Sequence, residues 1–339
     1  MDVNVCKDSQ RGKFNTCFAI VIGLILLAAS NAFAQELSVY GGAINTSENN
    51  ENSYTWELSY LENIAKHFAW SVSLLNEGHL EGHHRDGFSF QAWANTSFFN
   101  DRLTIAAGAG PYQYFDTQPA ADQASRIDHG LGGVFSLAAS WHTESRWLIQ
   151  ARANHVWTDD NIDTDAILLG IGYQLEPGNS SRSKPAESPD NDLKKKNEVT
   201  LFLGSTVLHS YDGEADGATA AGIEYRRAIT PYLDWTIGLI HEGDVELSHR
   251  NGITMQIWPT RSFFDNRFSI GIGLGPYLAF DDRRDEQSDK SDETIAGLIT
   301  LSGAYRFNQR FLGRFSFSRV YTNYDRDADI FLAGVGYQF

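Results

Sequence analysis

Apolar and polar residues alternate with a period of two along most of the chain after position 35. Within 267–280, for example, Phe268 and Ile270 fall on one face of an extended segment and Gly271 and Gly273 on the other. This period indicates β-strands, because successive side chains of a strand point to opposite faces. Sixteen strands are predicted, near 36–46, 53–62, 68–77, 87–98, 102–115, 130–142, 147–158, 165–175, 198–209, 218–228, 232–243, 252–263, 267–280, 293–306, 311–322 and 329–339.

One face of these strands is apolar, and the other is small or polar. The exposed face of a soluble sheet usually carries charge, so an apolar surface turned to lipid around a polar interior fits better. The even-numbered connections are short and the odd-numbered ones long and acidic, which is typical of the two ends of an outer-membrane barrel. Aromatic residues flank the short connections, as in a girdle at a membrane interface. They are Tyr60, Trp70, Phe98, Phe99, Trp141, Trp147, Tyr305 and Phe311.

The C-terminal segment has a pattern of its own. The chain ends in Phe339, and Tyr337, Val335, Ala333 and Phe331 alternate before it. This pattern resembles the C-terminal strand signal of bacterial outer-membrane proteins. The resemblance implies that the barrel-assembly machinery is a partner of this chain and recognises the strand that ends in Phe339.

The chain consists of two copies of one unit, which decides its domain organisation. His-Arg-Asp-Gly at 84–87 recurs as His-Arg-Asn-Gly at 249–252, and Gly-Pro-Tyr at 110–112 recurs at 275–277. The offset stays near about 165 residues. Between the units, a stretch rich in Ser, Pro and Lys without periodicity predicts a flexible periplasmic linker. The predicted organisation is a first eight-stranded unit over 35–175, a linker over 176–197 and a second unit over 198–339.

The fold class follows as all-β: a transmembrane, antiparallel, up-and-down β-barrel. Two tandem eight-stranded barrels are favoured, and one sixteen-stranded barrel is the alternative. The linker is far longer than the other periplasmic turns, as expected between two closed barrels. If Asn100 and Asp101 form a two-residue turn, Trp93 lies opposite Gly108, and a bulky ring beside a glycine fills a narrow interior. Trp258 and Gly273 repeat this pairing in the second unit.

The first 34 residues predict an export signal. Cations precede an apolar run over 18–29, which is too short to span a bilayer as a helix. Ala-Phe-Ala at 32–34 offers a cleavage site. Cys6 and Cys17 both lie in this segment, so the mature chain is expected to hold no thiol site. The predicted location is the outer membrane of a Gram-negative cell, reached through the periplasm.

The charge narrows the range of partners. The whole chain carries a formal net charge of −16, and the leader contributes a net +1, which leaves −17 for the mature chain. Nucleic-acid binding needs a basic surface, so a nucleic-acid partner is excluded. The expected partners are outer-membrane lipid and lipopolysaccharide.

The seventh predicted strand carries the one catalytic candidate, His155, in the run Asn-His-Val-Trp-Thr. The eight-stranded layout resembles the lipid A deacylase (PagL) family, in which this strand carries His-x-Ser-Asn near the outer leaflet and a carboxylate follows on the next strand. The resemblance implies a lipid A hydrolase with His155 in the histidine's place. Trp157 stands where the nucleophilic serine belongs and Thr158 where the asparagine belongs, while Arg319 and Tyr321 replace His and Ser in the second unit. Nucleophilic catalysis needs a hydroxyl near its base, so no catalytic residue is assigned.

A predicted loop over 77–87 holds the first metal candidates. His79, His83 and His84 lie there beside carboxylates, and imidazoles with carboxylates can bind zinc or copper. Their spacing matches no strong metal motif. A solvated polar loop is the competing interpretation.

A second group of candidates follows the seventh strand. Asp159, Asn161 and Asp163 resemble the start of a calcium loop but lack its glycine and its late glutamate. These oxygens could share divalent cations with lipopolysaccharide phosphates. Alternatively, they only suit a turn, where Asp and Asn are common. No other cofactor is predicted.

Inward-facing charges bear on function. By strand parity, the inward-facing positions include Glu57, Glu77, Arg152, Glu242 and Arg314. These charges predict a buried polar network that plugs each barrel. Alternatively, they line a pore.

The favoured function is a non-enzymatic structural or surface-interaction role, with acidic loops facing outside. A passive diffusion channel (porin) is the alternative, and a lipid A-modifying hydrolase is the second alternative.

Overall fold

The structure is a computed structural model that describes residues 35–46, 51–119, 126–159, 161–176, 197–208, 217–245, 248–283, 295–322 and 327–339. The predicted leader and nearly all of the predicted linker lie outside these residues. The first eight strands are β1 (Gln35–Thr46), β2 (Asn52–Ala65), β3 (Phe68–Leu80), β4 (His83–Phe98), β5 (Leu103–Gln118), β6 (Arg126–His142), β7 (Trp147–Thr158) and β8 (Thr164–Glu176). The second eight are β9 (Asn197–Leu208), β10 (Gly217–Thr230), β11 (Leu233–Val245), β12 (Ser248–Phe263), β13 (Phe268–Arg283), β14 (Ile295–Arg306), β15 (Phe311–Tyr321) and β16 (Ala328–Gln338).

The strands form two separate closed barrels with antiparallel neighbours throughout. The first barrel closes where β8 pairs with β1, and the second where β16 pairs with β9. All sixteen predicted strands are confirmed. The two-barrel prediction is confirmed as well, and the sixteen-stranded alternative is wrong, because β8 returns to β1 instead of continuing the sheet to β9.

The outer surface of the barrels is apolar, as the sequence pattern predicts. On β8, Ile167 and Leu169 are 73% and 71% exposed, whereas Leu168 between them is buried in the interior. Soluble monomers rarely expose continuous apolar surface on this scale. Across the described ranges, no α-helix has the length and apolarity that crossing a membrane requires.

The turn between β4 and β5 fixes the register of the first barrel. Asn100 and Asp101 have positive φ angles of 55° and 63°, which Asn and Asp tolerate better than most residues. The Arg102 N–H donates to the Phe99 carbonyl, 3.4 Å away, and closes the turn. Trp93 therefore lies opposite Gly108, as predicted.

Each tryptophan ring fills the space beside a glycine. A Cβ added to Gly108 would lie 2.5 Å from the Trp93 ring, and one added to Gly273 would lie 2.5 Å from the Trp258 ring. Both rings are fully buried, and the Trp93 indole N–H donates to the Ser71 hydroxyl at 2.8 Å. The narrow interior is therefore packed with side chains at this level.

The predicted loop over 77–87 needs a correction. β3 continues to Leu80 and β4 begins at His83, so this odd-numbered connection contains only two residues and is not a long acidic loop. A β-bulge between Asn76 and His79 hides the extension, because it breaks the period of two. Gly78 lies within the bulge at a φ of 69°.

The two barrels touch along their outer walls. Leu74 on β3 is 9% exposed, whereas its counterpart in the second unit, Leu239, is 55% exposed. Conversely, Phe263 on β12 is 1% exposed and its counterpart Phe98 is 49% exposed. The contact therefore joins the face around β2 to β4 of the first barrel, together with Phe115 on β5 and His129 on β6, to the face around β12 to β16 of the second.

Candidate functional site

A buried carboxylate organises the interior of the first barrel. Both oxygens of Glu77 are occupied: Arg85 donates to them from Nε at 2.5 Å and from Nη2 at 2.9 Å. The Tyr112 hydroxyl donates at 2.8 Å and the Thr164 hydroxyl at 2.5 Å. A carboxylate that accepts four hydrogen bonds, two of them from one bidentate guanidinium, is a satisfied charge inside a barrel.

A second ion pair lies deeper in the same barrel. Arg152 donates to one oxygen of Glu57, and Asn154 donates to the other at 3.1 Å. Arg152 also donates to the Tyr40 hydroxyl at 3.0 Å and lies over the Trp93 ring, 4.9 Å from its centroid. The residues come from β1, β2, β4 and β7, so the network crosses the lumen and closes it.

The second barrel repeats one of these networks and replaces the other. Glu242 binds Arg250 through two 2.7 Å hydrogen bonds and accepts from the Tyr277 hydroxyl at 2.5 Å, as Glu77 does in the first barrel. The second network uses Glu198, which accepts from Arg314 at 2.8 and 3.1 Å. Cavities of about 80 and 20 Å³ remain inside this barrel, space for isolated waters and not for a channel.

Sequence parity identified both members of the Glu57–Arg152 pair and one member of each of the other three interior pairs. Glu57, Glu77, Arg152, Glu242 and Arg314 all face inward and are all in ion pairs. Their partners Arg85, Arg250 and Glu198 were missed, as were the tyrosines that donate to the glutamates. Arg85 and Arg250 could have been found, because both repeats keep His-Arg at the same place and Gly-Pro-Tyr at the position of the tyrosine.

The catalytic candidate His155 lies on the outer surface of the first barrel. Its Nδ1 is 2.9 Å from Oδ1 of Asp165 on β8, and the two side chains are 45% and 61% exposed. Trp157 also points outward and supplies no hydroxyl. Thr158 is buried on the opposite face, where its hydroxyl donates to the Ile162 carbonyl. The arrangement is a His–Asp pair without a nucleophile.

The metal candidates separate into small groups. His79 and His84 pair across β3 and β4 with ring centroids 4.1 Å apart, whereas His83 Nδ1 lies 2.6 Å from an oxygen of Asp116. Asn161 donates to the same Asp116 oxygen at 2.9 Å. No described residues form a group of three or more His, Cys, Asp or Glu that could hold a metal ion.

The acidic turn after β7 uses its side chains to hold the backbone. Asp163 accepts from the Thr158 N–H at 2.9 Å, and Asn161 accepts from its neighbour's N–H at 2.8 Å. Asp159 lies at the entry to this turn. The contacts of Asp163 and Asn161 are those of turn residues, which is one of the two sequence interpretations.

Charged residues meet where the barrels touch, at the end of the longer connections (the loop end). Arg319 on β15 points outward from the second barrel, donates to both oxygens of Asp329 at 2.7 and 2.6 Å, and also binds Asp86 of the first barrel. Its side chain is buried and lies 4.9 Å from the centroid of the Phe115 ring. An outward arginine facing lipid alone would be costly. We call Asp86, Arg319 and Asp329 the inter-barrel cluster.

Two more polar contacts join the barrels. Near the inter-barrel cluster, His129 Nε2 lies 2.6 Å from an oxygen of Asp327. At the opposite end, that of the short turns (the turn end), the Arg261 Nε lies 3.1 Å from an oxygen of Glu62. Polar contacts thus close the interface at both ends, and apolar side chains lie between them.

The chain is therefore an all-β protein of two tandem eight-stranded barrels with filled polar interiors. No protein-family model and no curated protein matches its sequence. Among solved structures, the N-terminal β-barrel domain of Pseudomonas aeruginosa OprF is similar at 11% identity and a TM-score of 0.35, over 42% of this chain and 99% of that one. Ail, the attachment invasion locus protein of Yersinia pestis, is similar at 12% identity and a TM-score of 0.34, over 42% and 99%. The monoaromatic hydrocarbon channel CymD aligns over 93% of this chain and 90% of its own at 12% identity and a TM-score of 0.23.

Proposed function

We propose that this chain is an integral outer-membrane protein with a non-enzymatic structural or surface-interaction role. One observation carries the proposal: two closed barrels combine an apolar outer wall with an interior sealed by buried ion pairs. A membrane-spanning strand must satisfy its backbone within a closed barrel, and this fold does so twice.

The outer wall supports insertion into lipid. Exposed leucine and isoleucine side chains form its central band, and exposed aromatic rings crowd the turn end, among them Phe99, Trp147 and Phe311. Aromatic rings favour the level of the lipid headgroups, where one part of the ring is apolar and the other wet. In our proposal the turn end faces the periplasm and the loop end faces outside.

The interior argues against a channel. The Glu57–Arg152 and Glu77–Arg85 pairs lie at two levels of the first barrel, and Glu198–Arg314 and Glu242–Arg250 lie in the second. Opening a lumen would require these charges to separate inside a low-dielectric barrel, which is costly. The function therefore lies on the outside of the barrels.

The partners follow from this placement. Outer-membrane lipid surrounds the wall, and lipopolysaccharide lies beside the loop end. There the exposed carboxylate of Asp159, beside Asp163 of the same turn, shares divalent cations with lipopolysaccharide phosphates in our proposal. The final strand, ending in Phe339, is the proposed contact for the barrel-assembly machinery during insertion.

Cysteine labelling of intact cells tests the proposed location and orientation. Both native cysteines lie in the predicted leader, so a single introduced thiol gives an unambiguous signal. We expect a membrane-impermeant maleimide to label Asp159→Cys at the loop end on whole cells, and to label the matched turn variant Asn100→Cys only after lysis. Labelling of Asn100→Cys alone on whole cells would reverse the orientation, and recovery of the chain outside the outer-membrane fraction would refute the proposed function.

A further inference from the structure

We propose that the cavity between the two barrels binds an acyl chain of one phospholipid from the inner leaflet of the membrane. The cavity has a volume of about 590 Å³, within the range of specific ligand sites. Its walls are the facing outer surfaces of both barrels. The inference rests on the membrane insertion proposed above and adds a ligand to it.

The walls are suited to acyl chains. Leu58, Val72 and Leu74 of the first barrel face Ile272, Phe317 and Phe331 of the second. These side chains belong to the lipid-facing set by strand parity, so in the membrane the medium around the cavity is hydrocarbon. If the cavity were empty, the side chains that line it would have no atoms to contact on the cavity side and would lose dispersion energy. An acyl chain in the cavity supplies those contacts.

The two ends of the cavity differ in charge. At the loop end, the cavity is lined by the carboxylate residues Asp86 and Asp329. At the turn end, it is lined by Arg261, whose guanidinium lies 4.9 Å from the Tyr232 ring centroid. Arg319 offsets one of the two carboxylate charges, so the loop end stays net negative, whereas Arg261 and Glu62 balance each other at the turn end. A phosphate headgroup is therefore repelled by the loop end and not by the turn end. Since the turn end faces the periplasm, the headgroup is that of an inner-leaflet phospholipid and not of lipid A.

The spacing of the walls is fixed by polar contacts at both ends. Arg319 binds Asp86 across the interface above the cavity, and Arg261 binds Glu62 below it. Tyr60 and Phe263 add a ring contact near the turn end, with centroids 6.4 Å apart. The cavity is therefore built into the contact between the barrels and is not an accidental gap in a loose pair.

Lipid retention by the full-length protein tests the proposal. The protein is extracted from outer membranes in mild detergent, washed extensively, and its lipids are quantified by mass spectrometry. Val72→Trp fills the cavity, and its repeat counterpart Ile237→Trp adds the same ring to exposed outer wall of the second barrel. Gly303→Leu is a second filling variant, because an added Cβ there meets only the Phe268 ring, at 3.9 Å. Ala139→Leu is its counterpart in the first barrel.

We expect the wild type, Ile237→Trp and Ala139→Leu to retain phospholipid at a near-equal molar ratio, and both filling variants to lose most of it. Faster gel migration without heating, typical of closed barrels, establishes that each variant is folded. Folded wild type without phospholipid, retention of lipid A in its place, or equal retention by Val72→Trp and Ile237→Trp would overturn the inference alone. A chain absent from the outer membrane would overturn the proposed function as well.

Discussion

Replacing Glu77 by alanine is expected to lower the free energy of unfolding by about 3–5 kcal/mol, the typical cost of breaking a buried ion pair from one side. The variant leaves the Arg85 guanidinium buried without the carboxylate that it binds twice. The Tyr112 hydroxyl loses its acceptor as well. Both effects act in the interior of the barrel, where water cannot readily replace the lost carboxylate.

Urea unfolding of the refolded protein, followed by tryptophan fluorescence, measures this effect. Glu144→Ala is the matched control, because Glu144 pairs with Arg102 at 3.0 Å with side chains 88% and 54% exposed. Exposed pairs contribute about 0–1 kcal/mol, so the control should stay close to wild type. Equal losses in the two variants would contradict a sealed, low-dielectric interior.

Gly273→Leu is expected to block closure of the second barrel or to destabilise it by about 3 kcal/mol, the upper end of the usual cost of overpacking. Its Cβ would lie 2.5 Å from the Trp258 ring. That ring cannot move aside freely, because its N–H donates to the Thr236 hydroxyl at 2.9 Å and Arg226 lies over its face, 3.9 Å from a ring centroid.

Two measurements test this variant. The change in gel mobility on heating shows whether the barrel has closed, and the urea concentration at the midpoint of unfolding shows how stable it is. Gly133→Leu is the control: Gly133 faces outward, and a Cβ there meets only the Phe135 and Trp157 rings at 3.8 Å. We expect the control to fold normally. Wild-type stability of Gly273→Leu would mean that the lumen beside Trp258 is open, which would favour the channel interpretation.

The sequence predicts most of the fold because strand parity and the internal repeat are local signals. The Trp93–Gly108 register follows from counting back from the turn. The extension of β3 and β4 could not be predicted in this way, since the bulge at Asn76 shifts the parity of every later residue. For the same reason Glu77 was identified as an inward charge while its partner Arg85 was assigned to a loop.

The contact between the barrels could not be predicted from the sequence, for a different physical reason. Parity places Arg319 on the outer face of its strand, but it does not say which outer face meets which, and Asp86 fell in the predicted loop over 77–87. The pair is separated by 233 residues, and neither position keeps its residue in the other repeat. An outward arginine on a lipid-facing strand was nevertheless a signal, because such a charge needs a partner in the membrane.

Conductance of the refolded protein in a planar lipid bilayer tests the central claim most directly. The heat-dependent gel shift first establishes that the inserted protein is folded. The ion pairs at Glu57, Glu77, Glu198 and Glu242 seal both barrels, so we expect a silent bilayer at every applied potential. Steady steps of nanosiemens size from the folded protein would contradict the account, because they require a continuous water-filled lumen.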